Sequence, residues 1–147
     1  MAAKPLPDGY HNLTPYLIVN GADRFLEFLK QAFGAKEIER HQRPDGAIMH
    51  AEARIGDSVL MLADVNQQYS AMPAALYLYV EDTDAVYQRA LKQGATSLME
   101  PANQFYGDRN AGITDAWGNR WWIATHVEDV SREELEKRMK AHAPKVA

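Results

Sequence analysis

The chain contains no cysteine, which excludes a disulfide framework, a thiolate metal site and a cysteine nucleophile. It has no basic stripe and its net charge is −4, so nucleic acid is not expected as a partner. No apolar run approaches the length of a membrane span, and the N-terminus lacks the apolar stretch of a signal peptide. These absences favour a cytoplasmic protein with no membrane partner.

Several catalytic signatures are also missing. There is no glycine-rich phosphate loop, no nucleophile elbow and no paired-carboxylate site. The 147 residues, 46% hydrophobic and 24% charged, are typical of one compact globular domain. We therefore treat residues 1–147 as a single domain.

One pattern occurs twice, about 61 positions apart. The two copies match in residue type and order: 14–19 with 75–80, 29–31 with 91–93, 34–35 with 94–95, and 55–60 with 117–122. A repeat of this length indicates two copies of one supersecondary unit that bury a shared surface. Residues 11–64 and 74–130 are the predicted copies, and a site between them should use equivalent positions of both.

Each copy is predicted to form a strand, a helix and three more strands. Apolar residues at helical spacing mark the first helix, with Asp23 as its N-cap and Gly34 as its C-terminal stop. The second helix is predicted over 83–93. Ser131 and Glu134 form a capping box for a helix over 131–141, which we interpret as solvated, with a dimer contact as the alternative.

Two tandem βαβββ units resemble the vicinal oxygen chelate superfamily, which includes glyoxalase I, extradiol dioxygenases and bleomycin-resistance proteins. The resemblance covers residues 11–130 and favours the PhnB-like branch. The motifs that carry it are Pro15-Tyr16-Leu17, Phe33-Gly34-Ala35, His50-Ala51, the segments 55–57 and 60–64, and the segments 105–109, 115–119, 122–126 and 128–129. It implies an α+β fold, the glyoxalase/bleomycin resistance-like fold, in which a mixed sheet forms a cup within one chain or in a dimer.

Metal-dependent members of this superfamily carry His, Glu or Gln at four related positions, on the first and last strand of each unit. In the family's spacing these positions are Thr14, Leu60, Ala75 and Trp122. None offers an imidazole or a carboxylate, which a divalent ion needs. The sequence therefore predicts no metal at the usual site and no cofactor, and it argues against glyoxalase or dioxygenase chemistry.

The predicted lining of the cup is aromatic. Period-two alternation places on the cavity side of the strands Thr14, Tyr16, Leu60, Tyr77, Tyr79 and Trp122. Tyrosine and tryptophan combine a large contact area with one polar end, which suits a flat organic ligand. The alternative is that these rings are core filler.

Two further ligand residues are predicted near the mouth of the cup. The loop that contains Tyr106 could cover it, and Arg109 could bind a carboxylate or phosphate or form a structural salt bridge instead. Trp117 is either exposed as a contact surface or packed under the second helix. An inward Arg109 would favour anionic ligands, whereas an acidic mouth would favour cationic ones.

His50 and Glu52 are the candidate catalytic pair. They lie two apart on a predicted strand, so their side chains share one face, and a histidine suits proton transfer at neutral pH. With a third donor such as His126 they could hold a relocated metal, although such a face more often makes hydrogen bonds and an ion pair. His11, His41 and His142 carry no signal.

The preferred hypothesis is a metal-independent, homodimeric binding protein that sequesters an aromatic or antibiotic-like small molecule. The alternative is a lyase, isomerase or transferase of the same superfamily that uses His50 and Glu52, with or without a relocated metal. A third hypothesis is a structural or regulatory protein with a vestigial cup. Stability that responds to added divalent metal would favour the enzyme.

Overall fold

The computed structural model describes residues 2–142, and the ends of the predicted domain, residue 1 and residues 143–147, lie outside that range. The described chain forms two βαβββ units followed by a helix. The first unit consists of β1 (Tyr16–Val19), α1 (Ala22–Phe33), β2 (Lys36–Gln42), β3 (Ile48–Ile55) and β4 (Ser58–Asp64). The second consists of β5 (Ala75–Tyr79), α2 (Thr83–Lys92), β6 (Thr96–Asn103), β7 (Asp108–Thr114) and β8 (Arg120–His126), and α3 (Arg132–His142) follows.

Each unit forms its own four-stranded mixed sheet with the same topology. The strand orders are β1-β4-β3-β2 and β5-β8-β7-β6. In each sheet the first strand pairs in parallel with the last, and the other neighbours are antiparallel. The predicted α+β class and tandem βαβββ arrangement are confirmed.

Helix α1 is amphipathic, with seven buried residues on one face, and it ends at Gly34, whose φ of 70° is left-handed. The predicted N-cap was wrong. Gly21 occupies the cap position without a side-chain bond, and the carboxylate of Asp64 accepts the backbone N–H groups of Gly21 and Ala22 at 2.9 and 2.8 Å. Asp23 instead pairs with Arg40 at 2.8 Å.

The other two helices begin at conventional caps. The Asp82 side chain accepts the N–H of Ala85 at the start of α2, and the Ser131 hydroxyl accepts the N–H of Glu134 at the start of α3. Helix α3 buries no residue, as expected of a solvated helix. Arg138 fastens it to the preceding loop by pairing with Glu128 at 2.7 Å.

The two units share one hydrophobic core, which lies on the helix side of both sheets. The Phe33 and Trp121 rings meet across the units with centroids 4.7 Å apart. Trp117 contacts Phe25 and Phe28 and donates its indole N–H to the Asn20 carbonyl. Trp117 is therefore packed, but against the first helix, because the β7–β8 loop reaches across to α1.

The face of each sheet opposite the helices, which we call the open face, is accessible in the single chain. It carries Tyr16 in the first sheet and Tyr77 and Tyr79 in the second, with exposed fractions of 50, 44 and 60%. No helix within residues 2–142 is long and apolar enough to cross a membrane.

Candidate ligand site on the open faces

The first open face carries a hydrogen-bonded chain of side chains. The Tyr16 hydroxyl lies 3.0 Å from Nδ1 of His50, whose Nε2 lies 2.8 Å from Oε2 of Glu52. The N-terminal arm crosses this face, and its Tyr10 hydroxyl donates to Oε1 of Glu52. The structure therefore brings the predicted catalytic pair together and links it to an exposed tyrosine.

Glu52 is a buried carboxylate, only 5% exposed. Burial raises its pKa, but the hydrogen bonds from His50 and Tyr10 outweigh burial and hold the pKa below its usual value. Glu52 is therefore ionised at neutral pH and orients the His50 ring. On the same face, burial and then the charge of Glu52 raise the pKa of Tyr16. Tyr16 therefore keeps its proton.

The second open face is built around the buried Asp108. Its Oδ2 accepts the hydroxyls of Tyr77 and Tyr79 at 2.7 and 2.9 Å, and its Oδ1 lies 3.1 Å from Nδ1 of His126. Asn110, 1% exposed, donates to the hydroxyls of Tyr77 and Tyr106 at 3.1 and 2.6 Å. These bonds hold three tyrosine rings in fixed positions.

Hydrogen bonds within this cluster shift the pKa values of Asp108 and His126. Burial raises the pKa of Asp108, but the hydrogen bonds from Tyr77, His126 and Tyr79 outweigh it and leave the pKa lowered. Hydrogen bonds to Asp129 and then Asp108 raise the pKa of His126. Asp108 thus orders the tyrosines, and both of its oxygens take part in hydrogen bonds.

The aromatic lining predicted for the second unit lies on its open face. The Tyr77 and Tyr79 rings have centroids 5.3 Å apart, and Trp122 is the strand partner of Tyr77. Tyr106 lies in the loop before β7 and is 39% exposed. These rings form an accessible aromatic surface rather than core filler.

The position predicted for Leu60 was wrong. Leu60 is 5% exposed and belongs to the shared core, where it lines a small apolar cavity of about 220 Å³ between the units. The register of β1 with β4 pairs Tyr16 with Met61, as β5 with β8 pairs Tyr77 with Trp122. Met61, and not Leu60, is therefore the counterpart of Trp122.

Arg109 does not point into the open face. Its guanidinium forms a bidentate pair with Asp84 at the start of α2, at 2.7 and 2.8 Å, and a third bond to Asn103. The structural salt bridge was therefore the correct alternative, and its partner is Asp84. Thr14 precedes β1, is partly exposed, and donates to the His11 carbonyl at 3.4 Å.

Sequence reasoning missed Glu39 and His41. Strand β2 places Glu39 opposite Glu52 and His41 opposite His50, so all four side chains share the first open face. The potential metal donors grouped around His50 are Glu39 and Glu52. His126, the predicted third donor, lies on the second sheet between Asp108 and Asp129.

Comparison with known proteins places the chain in a family. Residues 10–123 match the model of the Glyoxalase/Bleomycin resistance protein/Dioxygenase superfamily, so the chain belongs to this superfamily. The uncharacterized protein Mb0911c of Mycobacterium bovis is 33% identical over 138 residues, which cover 86% of this chain and 91% of that protein. The uncharacterized protein Rv0887c of Mycobacterium tuberculosis is equally similar and is covered to 81%.

Solved structures share the fold. TioX from Micromonospora sp. ML1 is 22% identical, with a TM-score of 0.67 over 80% of this chain and 99% of TioX. A putative 3-demethylubiquinone-9 3-methyltransferase, the PhnB protein of Bacillus cereus, is 20% identical, with a TM-score of 0.64 over 78% of this chain and 99% of that one. At these identities the likeness establishes the fold alone.

The residues present do not fit the divalent metal that this superfamily implies. With the observed register the four positions hold Thr14, Met61, Ala75 and Trp122. A thioether suits soft ions such as Cu(I), and an alanine and an indole ring supply no ligand for a divalent ion. With Met61 in place of Leu60, the four positions are still unsuited to a divalent metal.

Proposed function

We propose that this protein binds a small aromatic or antibiotic-like molecule on its open faces and sequesters it without transforming it. The observation that carries this proposal is the set of exposed tyrosine rings that buried Asp108 and Asn110 hold in place. Rings that are already ordered lose little conformational entropy when a flat ligand packs against them. Sequestration of this kind is a route to antibiotic resistance.

The contacts also favour one ligand charge over another. Arg109, the predicted anchor for an anion, is occupied by Asp84, whereas the first open face carries Glu39 and Glu52 without a lysine or arginine ion pair in the described chain. We therefore propose a neutral or cationic aromatic ligand. Contacts between this ligand and the tyrosine rings do not require a metal at the four family positions.

We further propose that the binding protein is a homodimer. The contacts between the two units run through the helix side of the sheets, and both open faces remain exposed in one chain. In such a dimer the first open face of one copy would lie against the second open face of its partner. The ligand would then be enclosed on both sides, as it is in most ligand sites, which are concave. A cytoplasmic location remains a prediction from the sequence.

Ligand binding is tested by titrating bleomycin and a panel of planar aromatic antibiotics while tryptophan fluorescence is recorded. We expect at least one compound to bind, and the Tyr79→Ala variant to bind it about tenfold more weakly, equivalent to about 1.4 kcal/mol. The matched control is Tyr69→Ala, which removes a tyrosine of the connector that is 54% exposed. A panel without binders, or equal losses in both variants, would contradict the proposal.

The dimer is tested by light scattering of the purified protein at micromolar concentration. We expect a mass twice the 16.5 kDa of the chain. A Met61→Arg variant, which places a charge at the centre of the first open face, should shift the protein toward monomer without loss of helical signal. A wild-type monomer under these conditions would rule out the paired cup.

One observation favours the alternative, an acid–base enzyme. The chain Tyr16–His50–Glu52 has the geometry of a proton relay whose outer end is exposed. In the same titrations, mass spectrometry of the compounds would reveal turnover. Turnover that disappears in His50→Asn and persists in His126→Asn would replace sequestration with catalysis.

A further inference from the structure

The sequence of the β2–β3 hairpin is symmetric in potential metal ligands. Strand β2 contains Glu39-Arg40-His41, and β3 contains His50-Ala51-Glu52. The antiparallel register sets Glu39 opposite Glu52 and His41 opposite His50, so two carboxylates and two imidazoles share one face of the hairpin. We propose that this hairpin binds one divalent transition-metal ion through Glu39, His50 and Glu52, with His41 beside them.

The distances suit an ion. One donor atom from each of Glu39, His50 and Glu52 lies within 4.8 Å of the other two. Ligands at about 2.1 Å from a tetrahedral ion are separated by about 3.4 Å, so small side-chain rotations close the site. Because all three residues lie on two adjacent strands, the sheet holds their backbones in place while the ion binds.

The charges of the hairpin also favour a bound cation. Two carboxylates directly opposite each other on a sheet destabilise the pairing of their strands. Within residues 2–142 neither Glu39 nor Glu52 forms an ion pair with a lysine or arginine, and their partners are His41 and His50. A bound cation would compensate the two negative charges, which have no lysine or arginine partner within residues 2–142.

Neighbouring hydrogen bonds already orient the ligands. The Tyr16 hydroxyl lies 3.0 Å from Nδ1 of His50 and leaves Nε2 on the side of Glu52. The Tyr10 hydroxyl binds the other oxygen of Glu52. Partners of this kind fix the ring orientation and the tautomer of a metal-binding histidine.

The site is distinct from the family's metal positions and belongs to one unit only. In the second sheet the positions equivalent to Glu52 and Glu39 hold Gly112 and Met99, which pair with each other beside Trp122. Those equivalent to His50 and His41 hold Asn110 and Ala102. The four equivalent positions of the second sheet thus hold no carboxylate and no imidazole, and a bulge between Met99 and Ala102 interrupts the strand pairing there.

The mixture of donors selects the class of ion. Carboxylates with imidazole suit Zn²⁺ and its transition-metal neighbours, whereas Mg²⁺ prefers oxygen ligands and keeps its waters. We therefore expect Zn²⁺ or Ni²⁺ to bind more tightly than Mn²⁺, and Mg²⁺ to bind weakly. The site does not rest on the proposed ligand binding, and we assign the ion no catalytic role.

Calorimetric titration of tag-free, chelator-treated protein with ZnCl₂ tests the site. We expect one Zn²⁺ per chain and a higher melting temperature with the ion bound. Glu39→Gln, His50→Gln and Glu52→Gln should each weaken binding by more than the roughly 10- to 100-fold loss typical of outer-shell partners. Tyr16→Phe should fall within that smaller range.

His126→Gln and Asp129→Asn on the second open face are the controls and should bind Zn²⁺ as the wild type does. Glu52 is buried; if its replacement prevents folding, the Zn²⁺ affinity of Glu39→Gln, at a half-exposed position, tests the site. The proposal is overturned if the wild type takes up no stoichiometric Zn²⁺, or if the controls lose as much affinity as Glu39→Gln. Neither result affects the aromatic-ligand titration, which is carried out in chelator.

Discussion

Replacing Trp121 with alanine is expected to lower the free energy of unfolding by about 3–5 kcal/mol. Trp121 is 2% exposed and packs on Phe33 across the two units. Its indole N–H donates to Oδ2 of Asp115 at 2.8 Å, so the change also leaves a buried carboxylate oxygen without that donor. Urea denaturation at neutral pH measures the loss.

The adjacent Trp122 is the matched control, because its side chain points to the opposite face of the sheet. Trp122→Ala should cost far less stability and should instead abolish the fluorescence change on ligand binding. Equal destabilisation by the two substitutions would mean that Trp122 is core and that the aromatic open face is not available to a ligand. The pair therefore separates packing from binding within two consecutive residues.

Asp64→Asn is expected to destabilise the protein by about 2–3 kcal/mol at pH 7. The Asp64 carboxylate accepts three backbone N–H groups, from Gly21 and Ala22 at the start of α1 and from Ile48 of β3 at 2.7 Å. An asparagine keeps the volume but loses the charge and turns one acceptor into a donor that faces another donor. Chemical denaturation measures the difference, with Asp57→Asn in the exposed hairpin turn as control.

The effect of Asp64 depends on pH in a defined direction. Burial raises its pKa, but the three backbone hydrogen bonds outweigh burial and hold the pKa below the usual value of an aspartate. A lowered folded-state pKa means that the stabilisation is complete above the unfolded value and is lost as the pH falls through the folded value. The stability difference between the wild type and Asp64→Asn should therefore shrink as the pH falls below the unfolded-state pKa of about 3.9 and vanish below the lowered folded-state pKa. A constant difference from pH 7 to pH 2.5 would contradict this mechanism.

Local patterns predicted the order and type of the elements. The apolar spacing of α1 and the Ser131 cap of α3 depend on residues within one turn of each other, and both were confirmed. The Glu134 carboxylate, which was predicted to complete a capping box, pairs with Arg138 instead. The N-cap of α1 was missed because Asp64 reaches it from the end of β4, 42 residues away in sequence. Position 125 of the second unit, equivalent to 64, holds a threonine that likewise accepts the first N–H of α2.

The register of β4 shows why equal offsets from a turn glycine were misleading. The β3–β4 hairpin closes Ile55 against Ser58 with two residues between them, whereas β7–β8 closes Thr114 against Arg120 with five. The shorter turn moves the glycine by one position relative to the strand. A shift of one residue places a side chain on the opposite face of a sheet, and Leu60 is core for that reason.

The sequence by itself determined the repeat, the α+β class, the aromatic character of the first strands and the lack of ligands at the family's metal positions, because these depend on residue type and short-range spacing. Only the tertiary structure decided that Arg109 pairs with Asp84, that Asp64 caps a distant helix, and that Glu39 and His41 stand opposite Glu52 and His50. These contacts join separate elements, and their register follows from turn lengths and bulges that residue patterns do not specify.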